Sequence, residues 1–216
     1  MQSYKREFID FMREVGVLTF GDFVTKSGRK TPYFVNAGRY RTGAQMQRLG
    51  AFYAAAIAER LAGEVDVLFG PAYKGIPLVV GTSMAMAAAG DDVAFCYNRK
   101  EAKAHGEGGR LVGHTLGDGD RVLIVEDVTT AGTSVRETVP LLRAAADVRL
   151  AGLVVSVDRD ERGTEDRSAL AQLADEYSMP TFAIVTIDEV VEHVRADLDA
   201  SDLARIAAYR AAWGAR

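Results

Sequence analysis

The segment Val122-Leu123-Ile124-Val125-Glu126-Asp127-Val128-Thr129-Thr130-Ala131-Gly132-Thr133-Ser134 carries residue types that point directly to chemistry. A run of branched apolar residues ends in two adjacent carboxylates. A turn of small hydroxyl residues with one glycine comes next, and then a helix start. A turn entering a helix directs backbone N–H groups outward, and the helix N-terminus carries partial positive charge, so the place suits a phosphate. Gly132 lets the backbone approach such a group closely or take a positive φ, and Thr130, Thr133 and Ser134 add hydroxyl donors. Glu126 and Asp127 would repel that phosphate, so they must face another part of the ligand. The vicinal hydroxyls of a ribose, which donate hydrogen bonds, suit them. Unpaired carboxylates at a mostly buried strand end are costly, which favours a ligand over an acidic tip beside a well-capped helix.

Lys and Arg total 26 against 30 Asp and Glu, a formal net charge of -4. A phosphate-rich ligand therefore needs a local cationic pocket against an unfavourable mean field, and a general nucleic-acid binder is disfavoured. Arg99, Lys100, Lys103 and His105 supply such a pocket within residues 98–119, partly offset by Glu101 and Glu107, and Lys74 and Lys26 add to it. The turn Gly70-Pro71-Ala72-Tyr73-Lys74-Gly75 predicts exposed backbone N–H groups and a strained or cis peptide at Ala72–Tyr73. Arg159 and Arg162 both come after the apolar run 150–157; either could clamp a carboxylate bidentately, and chain position does not separate them. Cys96 reads as a small hydrophobe buried in a strand, and His114 and His193 have no partners at ligand spacing. No G-x-x-x-x-G-K-[ST] occurs, and Leu111 stands where a dinucleotide fingerprint would need its third glycine.

The elements that must position these groups alternate. Helices are predicted at 4–15, 45–61, 76–89, 133–146 and 165–177, with one or two more over 188–212. Short strands are predicted near 23–25 and 33–35, and apolar strands at 65–69, 93–97, 121–125, 150–157 and 181–187. Ser134 and Glu137 stand at capping-box spacing at the start of the fourth helix. Buried strands alternating with helices imply a parallel α/β sheet, whose ligands lie beyond the carboxyl ends of the strands. Residues 98–119 fit no element and read as a glycine-rich loop. The 216 residues, 48% of them hydrophobic, suffice for a core without staples. The single cysteine excludes an intrachain disulfide and a multi-cysteine zinc site. The uncharged stretch 76–90 is shorter than the ~20 residues that span a bilayer, and the N-terminus lacks an apolar signal core. The expectation is a soluble, cytoplasmic protein.

The segment 122–134 resembles the phosphoribosyl-pyrophosphate (PRPP) motif of the type I phosphoribosyltransferases. Four further segments narrow the resemblance to the orotate phosphoribosyltransferases. Residues 25–34 (Thr-Lys-Ser-Gly-Arg-Lys-Thr-Pro-Tyr-Phe) look like the family's N-terminal hood and 69–77 (Phe-Gly-Pro-Ala-Tyr-Lys-Gly-Ile-Pro) like its pyrophosphate loop. Residues 98–109, with Arg99-Lys100-x-x-Lys103-x-His105-Gly106, look like its mobile catalytic loop, and Asp158-Arg159-Asp160-Glu161-Arg162-Gly163 matches its substrate-carboxylate segment.

The resemblance covers nearly the whole chain. It implies a type I phosphoribosyltransferase α/β fold, with a central mostly parallel sheet flanked by helices and a small N-terminal hood. Residues 1–216 form one domain in this reading, with hood elements at 1–40 and the mobile loop at 98–119. The implied reaction is Mg²⁺-dependent transfer of ribose 5-phosphate from PRPP to orotate, giving orotidine 5′-monophosphate and pyrophosphate in pyrimidine biosynthesis. Carried over residue by residue, the catalytic set is Lys103, Arg99, His105 and Asp127. PRPP contacts fall on Lys26, Tyr73, Lys74, Arg99, Lys100, Lys103 and His105, and on Glu126, Asp127, Val128, Thr129, Thr130, Ala131, Gly132, Thr133 and Ser134. Orotate contacts fall on Lys26, Phe34, Val35, Thr130 and, of the two arginines, Arg159. The pattern departs at Val35, where some members carry a second aromatic. No residue is implied as a protein metal ligand, since Mg²⁺ is held mainly by PRPP oxygens and water. The family works as a homodimer with shared sites, without nucleic acid or membrane. Two rivals are a purine-base phosphoribosyltransferase and a non-catalytic PRPP-binding regulator on the same fold. A regulator of that kind should lack the loop cations and carry a DNA-binding helix or basic patch.

Overall fold

The structure, a computed structural model, describes residues 1–25, 28–103, 109–129, 131–162 and 166–215, with the backbone alone at 101–103 and 109. Helix α1 (Ser3–Glu14) buries Phe8, Ile9, Phe11 and Met12, the one-sided spacing an amphipathic helix needs. It leads into the antiparallel pair β1 (Leu18–Val24) and β2 (Lys30–Val35). This hairpin is longer than its sequence suggests. A register shift between Phe20 and Phe23 breaks the alternation that would have marked the first half of β1.

From α2 (Gly43–Leu61) the chain alternates as expected. It runs through β3 (Val67–Gly70), α3 (Gly75–Ala88), β4 (Ala94–Lys103), β5 (Gly109–Gly113), β6 (Arg121–Val125), α4 (Thr133–Ala145), β7 (Arg149–Asp158), α5 (Ala169–Tyr177), β8 (Thr181–Thr186), α6 (Ile187–Val194) and α7 (Ala200–Trp213). Six strands form one sheet in the order β5-β4-β3-β6-β7-β8, parallel except for the antiparallel β4–β5 pair. One core cluster joins α1, α2, α3, α6 and the hairpin to one side of the sheet, and a second fills the side covered by α4 and α5. Cys96 lies fully buried in the second cluster, where burial pushes its thiol up to about 12. His114 and His193 are held by Asp120 and Asp10, at 3.2 and 2.8 Å.

Three expectations need correction. Residues 98–103 and 109–113 are strand, not loop: β4 continues to Lys103 and pairs with β5 at the outer edge of the sheet. Past Tyr97 the residues of β4 are polar or charged except Ala102, and β5 has only Leu111 and Val112 beside its glycines and arginine, so no apolar run betrays the pair. The helix expected from 165 begins at Ala169, where the Ser168 hydroxyl accepts from the Ala171 N–H at 3.2 Å. The Ser134–Glu137 capping box does not form. Gly132, at φ 72°, is the N-cap of α4 and no side chain caps it. Among the described residues no helix is long and apolar enough to cross a membrane.

The strand order fixes the place for a ligand. After β3 the chain runs outward to β4 and β5 and then returns to β6 on the other side of β3. Such a switch point opens a crevice at the carboxyl ends of the strands. Here it sets the ends of β3, β6 and β7 side by side.

Candidate active site

The carboxylates at the end of β6 are almost fully buried: Glu126 is 7% and Asp127 6% exposed. Their backbone is pinned from two sides. The Tyr53 hydroxyl donates to the Glu126 carbonyl at 2.7 Å, and the Ser156 hydroxyl donates to the Asp127 carbonyl at 2.6 Å. Burial raises the Glu126 carboxyl above its ordinary value and the Asp127 charge adds to the rise, while the Ser134 hydroxyl opposes it. An acid whose folded pKa is raised makes its ionised form a cost to folding. That cost is absent below the ordinary carboxylate range and complete above the raised value. Glu126→Gln should therefore raise the melting temperature at pH 7, by about 2–4 °C for each kcal/mol relieved. The gain should vanish near pH 4, and thermal melts at the two pH values check it.

Beyond the carboxylates, the Thr129 hydroxyl accepts from the Gly132 N–H at 3.1 Å and closes the turn. A Cβ on Gly132 would sit 3.1 Å from the Leu173 methyls in a left-handed backbone, so glycine is the residue that fits. The uncapped α4 N-terminus, with Thr133 exposed and Ser134 half-buried, is a place for an anion.

The turn after β3 lies across the switch point. It is pinched at its base: a Cβ on Gly70 would meet the Gly75 carbonyl at 2.3 Å. The Ala72–Tyr73 peptide is cis, one of the two forms expected there. The Asn98 side-chain carbonyl accepts from the Ala72 N–H at 2.7 Å, and Lys100 Nζ lies 5.1 Å from the centre of the exposed Tyr73 ring. Lys74 Nζ bonds Asp127 Oδ2 at 2.7 Å, joining the ends of β3 and β6. With the Lys74 side chain 67% exposed, this pair contributes little stability by itself.

At the end of β7 a cavity of about 420 Å³ is lined by Phe34 and Val35 from the hairpin, by Val128, Thr129 and Ala131 from the β6–α4 turn, and by Arg159 and Arg162. Phe34 stacks on Phe23 at 5.5 Å and offers an aromatic surface to the cavity. Arg159 is mostly buried, bonded to Glu161 at 2.8 Å, and its guanidinium lies 4.9 Å from the Tyr33 ring. Arg162 is turned elsewhere, toward the Ala212 carbonyl at 2.6 Å and the Trp213 ring at 5.6 Å.

The structure thus gathers Tyr73, Lys74, Glu126, Asp127, Val128, Thr129, Ala131, Gly132, Thr133 and Ser134 at adjoining strand ends, with Phe34, Val35 and Arg159 around one cavity. Arg99 and Lys100 lie on β4, and Lys103 ends that strand opposite Gly109. Lys26, His105, Thr130 and the Lys103 side chain lie outside the described residues. Sequence reasoning missed Tyr53, Ser156 and Asn98, which hold backbone rather than ligand, and the partners of Arg159. Only Asn98, a polar residue just past a buried strand, left a trace in the sequence. Among the described residues no three His, Cys, Asp or Glu come together as a metal-ligand set.

Comparison with known proteins agrees with this geometry. The Phosphoribosyl transferase domain family matches residues 36–189. An orotate phosphoribosyltransferase of Clostridium beijerinckii is 61% identical over 195 residues, covering 90% of this chain and 87% of its own. That of Thiobacillus denitrificans is 48% identical, covering 99% of this chain and 100% of its own. The crystal structure of the Francisella tularensis orotate phosphoribosyltransferase superposes with a TM-score of 0.88 at 36% identity, over 97% of this chain and 100% of the other. With identities of 61% and 48% over nearly all of both chains and a fold that superposes over 97% of its length, the chain belongs to the orotate phosphoribosyltransferase family.

Proposed function

We propose that the protein transfers the 5-phosphoribosyl group of PRPP to a ring nitrogen of orotate, releasing pyrophosphate and orotidine 5′-monophosphate. One observation carries this reading. The single turn between β6 and α4 comes directly after the two buried carboxylates and also lines the cavity that holds Arg159 and Phe34. A phosphoribosyl donor on that turn therefore meets a flat, anionic base in the same crevice.

The roles are set by charge. The 5-phosphate lies on the α4 N-terminus, where the turn supplies N–H groups and hydroxyls. Glu126 and Asp127 accept hydrogen bonds from the ribose 2′ and 3′ hydroxyls. The diphosphate lies against Tyr73 and Lys74. As its bond to the sugar stretches, negative charge grows on the diphosphate and positive charge on the ribose ring. Cations on the leaving group then bind the transition state better than the ground state, with Lys103 foremost and Arg99 and His105 in support. The Arg159 guanidinium takes the orotate carboxylate and Phe34 covers the ring.

Mg²⁺ fits as an ion that keeps most of its ligands from PRPP oxygens and water, with the two carboxylates nearby. When bound, it neutralises charge on the departing diphosphate. The protein acts in the cytoplasm as a homodimer, the β4–β5 hairpin of one subunit serving the site of the other. The position of that hairpin at the sheet's outer edge supports this arrangement.

Pyrophosphate release from PRPP and Mg²⁺ should occur with orotate and not with hypoxanthine or adenine. Release with either purine and none with orotate would replace this reading with the purine one.

A further inference from the structure

Arg159 is oriented by a carboxylate, and the last residues of the chain hold the turn that carries both. Its Nε and Nη2 donate to the same oxygen, Glu161 Oε1, at 3.0 and 2.8 Å, and Nη2 also reaches the Thr31 hydroxyl at 3.3 Å. Nη1 has no acceptor among the described residues and is the nitrogen left for a ligand. Glu161 is 12% exposed and takes two more donors: the Tyr33 hydroxyl at 2.9 Å and Arg29 Nη1 at 3.3 Å. One carboxylate thus holds two guanidiniums that line the cavity, those of Arg159 and Arg29.

The turn itself is strapped down. Arg210 donates to the Arg159 and Asp160 carbonyls, at 3.1 and 2.9 Å, and to the Asp160 carboxylate at 3.1 Å. The Ala215 N–H donates to the Asp160 carbonyl at 2.9 Å, the Arg162 N–H donates to the Trp213 carbonyl at 2.9 Å, and Gly214 bridges to Glu161. The Arg29 and Arg162 guanidiniums both lie over the Trp213 ring, 4.1 and 5.6 Å from its centre.

We propose that Glu161 is the positioning residue of the base-binding arginine, and that Arg210 and Trp213 form a strap that keeps the pair aimed into the cavity. This rests on the reading of Arg159 as the carboxylate clamp. An arginine side chain free to sample its rotamers must be ordered when the ligand binds, whereas one already held by a buried acceptor is pre-organised. Among the described residues, Tyr73 and Lys74 at the diphosphate end meet Lys100 and Asp127 and none of these groups, so the effect falls on the base.

The test measures KM for orotate and for PRPP, and inhibition by uracil, which lacks the carboxylate. Glu161→Gln should raise the orotate KM about tenfold, in line with losing one charge-assisted contact. It should leave the PRPP KM and uracil inhibition within about twofold. Glu161→Asp should recover part of the loss. Trp213→Ala should shift the orotate KM in the same direction by a smaller factor, and Trp213→Phe should behave as the parent; thermal melts confirm folding. If Glu161→Gln raises both KM values alike, or lowers kcat alone, the positioning role is wrong. If Arg159→Ala raises the orotate KM but Glu161→Gln does not, the proposal fails while the clamp stands. If Arg159→Ala leaves the orotate KM unchanged, the clamp reading fails and takes this proposal with it.

Discussion

Replacing Lys103 with alanine should lower kcat by about 10²–10³, the cost of removing one preorganised charge from a developing anion. The KM values for orotate and PRPP should move far less. The expectation comes from the order in which charge develops. In the proposed arrangement the ground-state diphosphate is met by Lys74, which stands at the switch point bonded to Asp127. The extra charge appears only as the sugar–diphosphate bond breaks, so a cation that meets it then acts on kcat and leaves binding largely alone. Lys103 stands at the end of β4, where the strand leaves the sheet, paired in backbone with Gly109. It is thus carried away from the body of the sheet on an edge hairpin. That placement suits a group supplied to a crevice rather than built into its wall. Single-turnover kinetics check the assignment, since they separate chemistry from product release. Mixing Lys103→Ala with Asp127→Ala subunits checks the shared site: a mixed dimer should regain about a quarter to a half of the parent activity on statistical grounds if the hairpin serves the neighbour. No recovery would return the hairpin to its own subunit.

Arg159→Ala should raise the orotate KM by about 30- to 150-fold while the PRPP KM stays within about twofold, reflecting the ~2–3 kcal/mol attached to a buried charge-assisted pair. Arg159 lies in a mostly buried site, and burial works against its charge while Glu161 more than offsets that effect, so its guanidinium pKa is raised and it remains a cation throughout the working range. The orotate carboxylate titrates well below neutrality, so the contact should persist unchanged across pH 6–9. Arg159→Lys should recover little, because an ammonium lacks the planar fork that can hold Glu161 and a ligand at once. Arg162→Ala should have the smaller effect of the two, since Arg162 is spent on the Ala212 carbonyl and the Trp213 ring. Equal shifts in the two KM values for Arg159→Ala would discard the clamp.

The parts of this molecule that could be read from its sequence are those where physical chemistry acts locally. Runs such as Val122–Val125 and Leu153–Val157 admit no solvent-facing alternate positions, so they mark central strands, and the residues just past their carboxyl ends build the site. The turn at Gly132 was legible because one residue type answers both a positive φ and a close approach. The β4–β5 pairing was hidden because β4 turns polar after Tyr97 and β5 is a five-residue strand begun and ended by glycine, so neither an apolar run nor a clean alternation marks it. The Ser134–Glu137 spacing was misleading: the same two residue types that cap a helix also fit inside its first turn, and here the glycine two positions before Ser134 starts the helix and leaves Ser134 facing Glu126. The network around Arg159 had no sequence signature at all. Tyr33, Glu161 and Arg210 are separated by 128 residues or by about 50, and only the folded chain brings them together.

The most direct measurement is the fall in orotate absorbance in the ultraviolet on mixing the protein with orotate, with PRPP and Mg²⁺ present or each left out. If the protein is the proposed transferase, absorbance falls only when all are present, with one pyrophosphate released per orotate consumed, and falls far more slowly at the same orotate concentration with Arg159→Ala. Orotate left untouched by the complete mixture, while a purine base is consumed in its place, would contradict it.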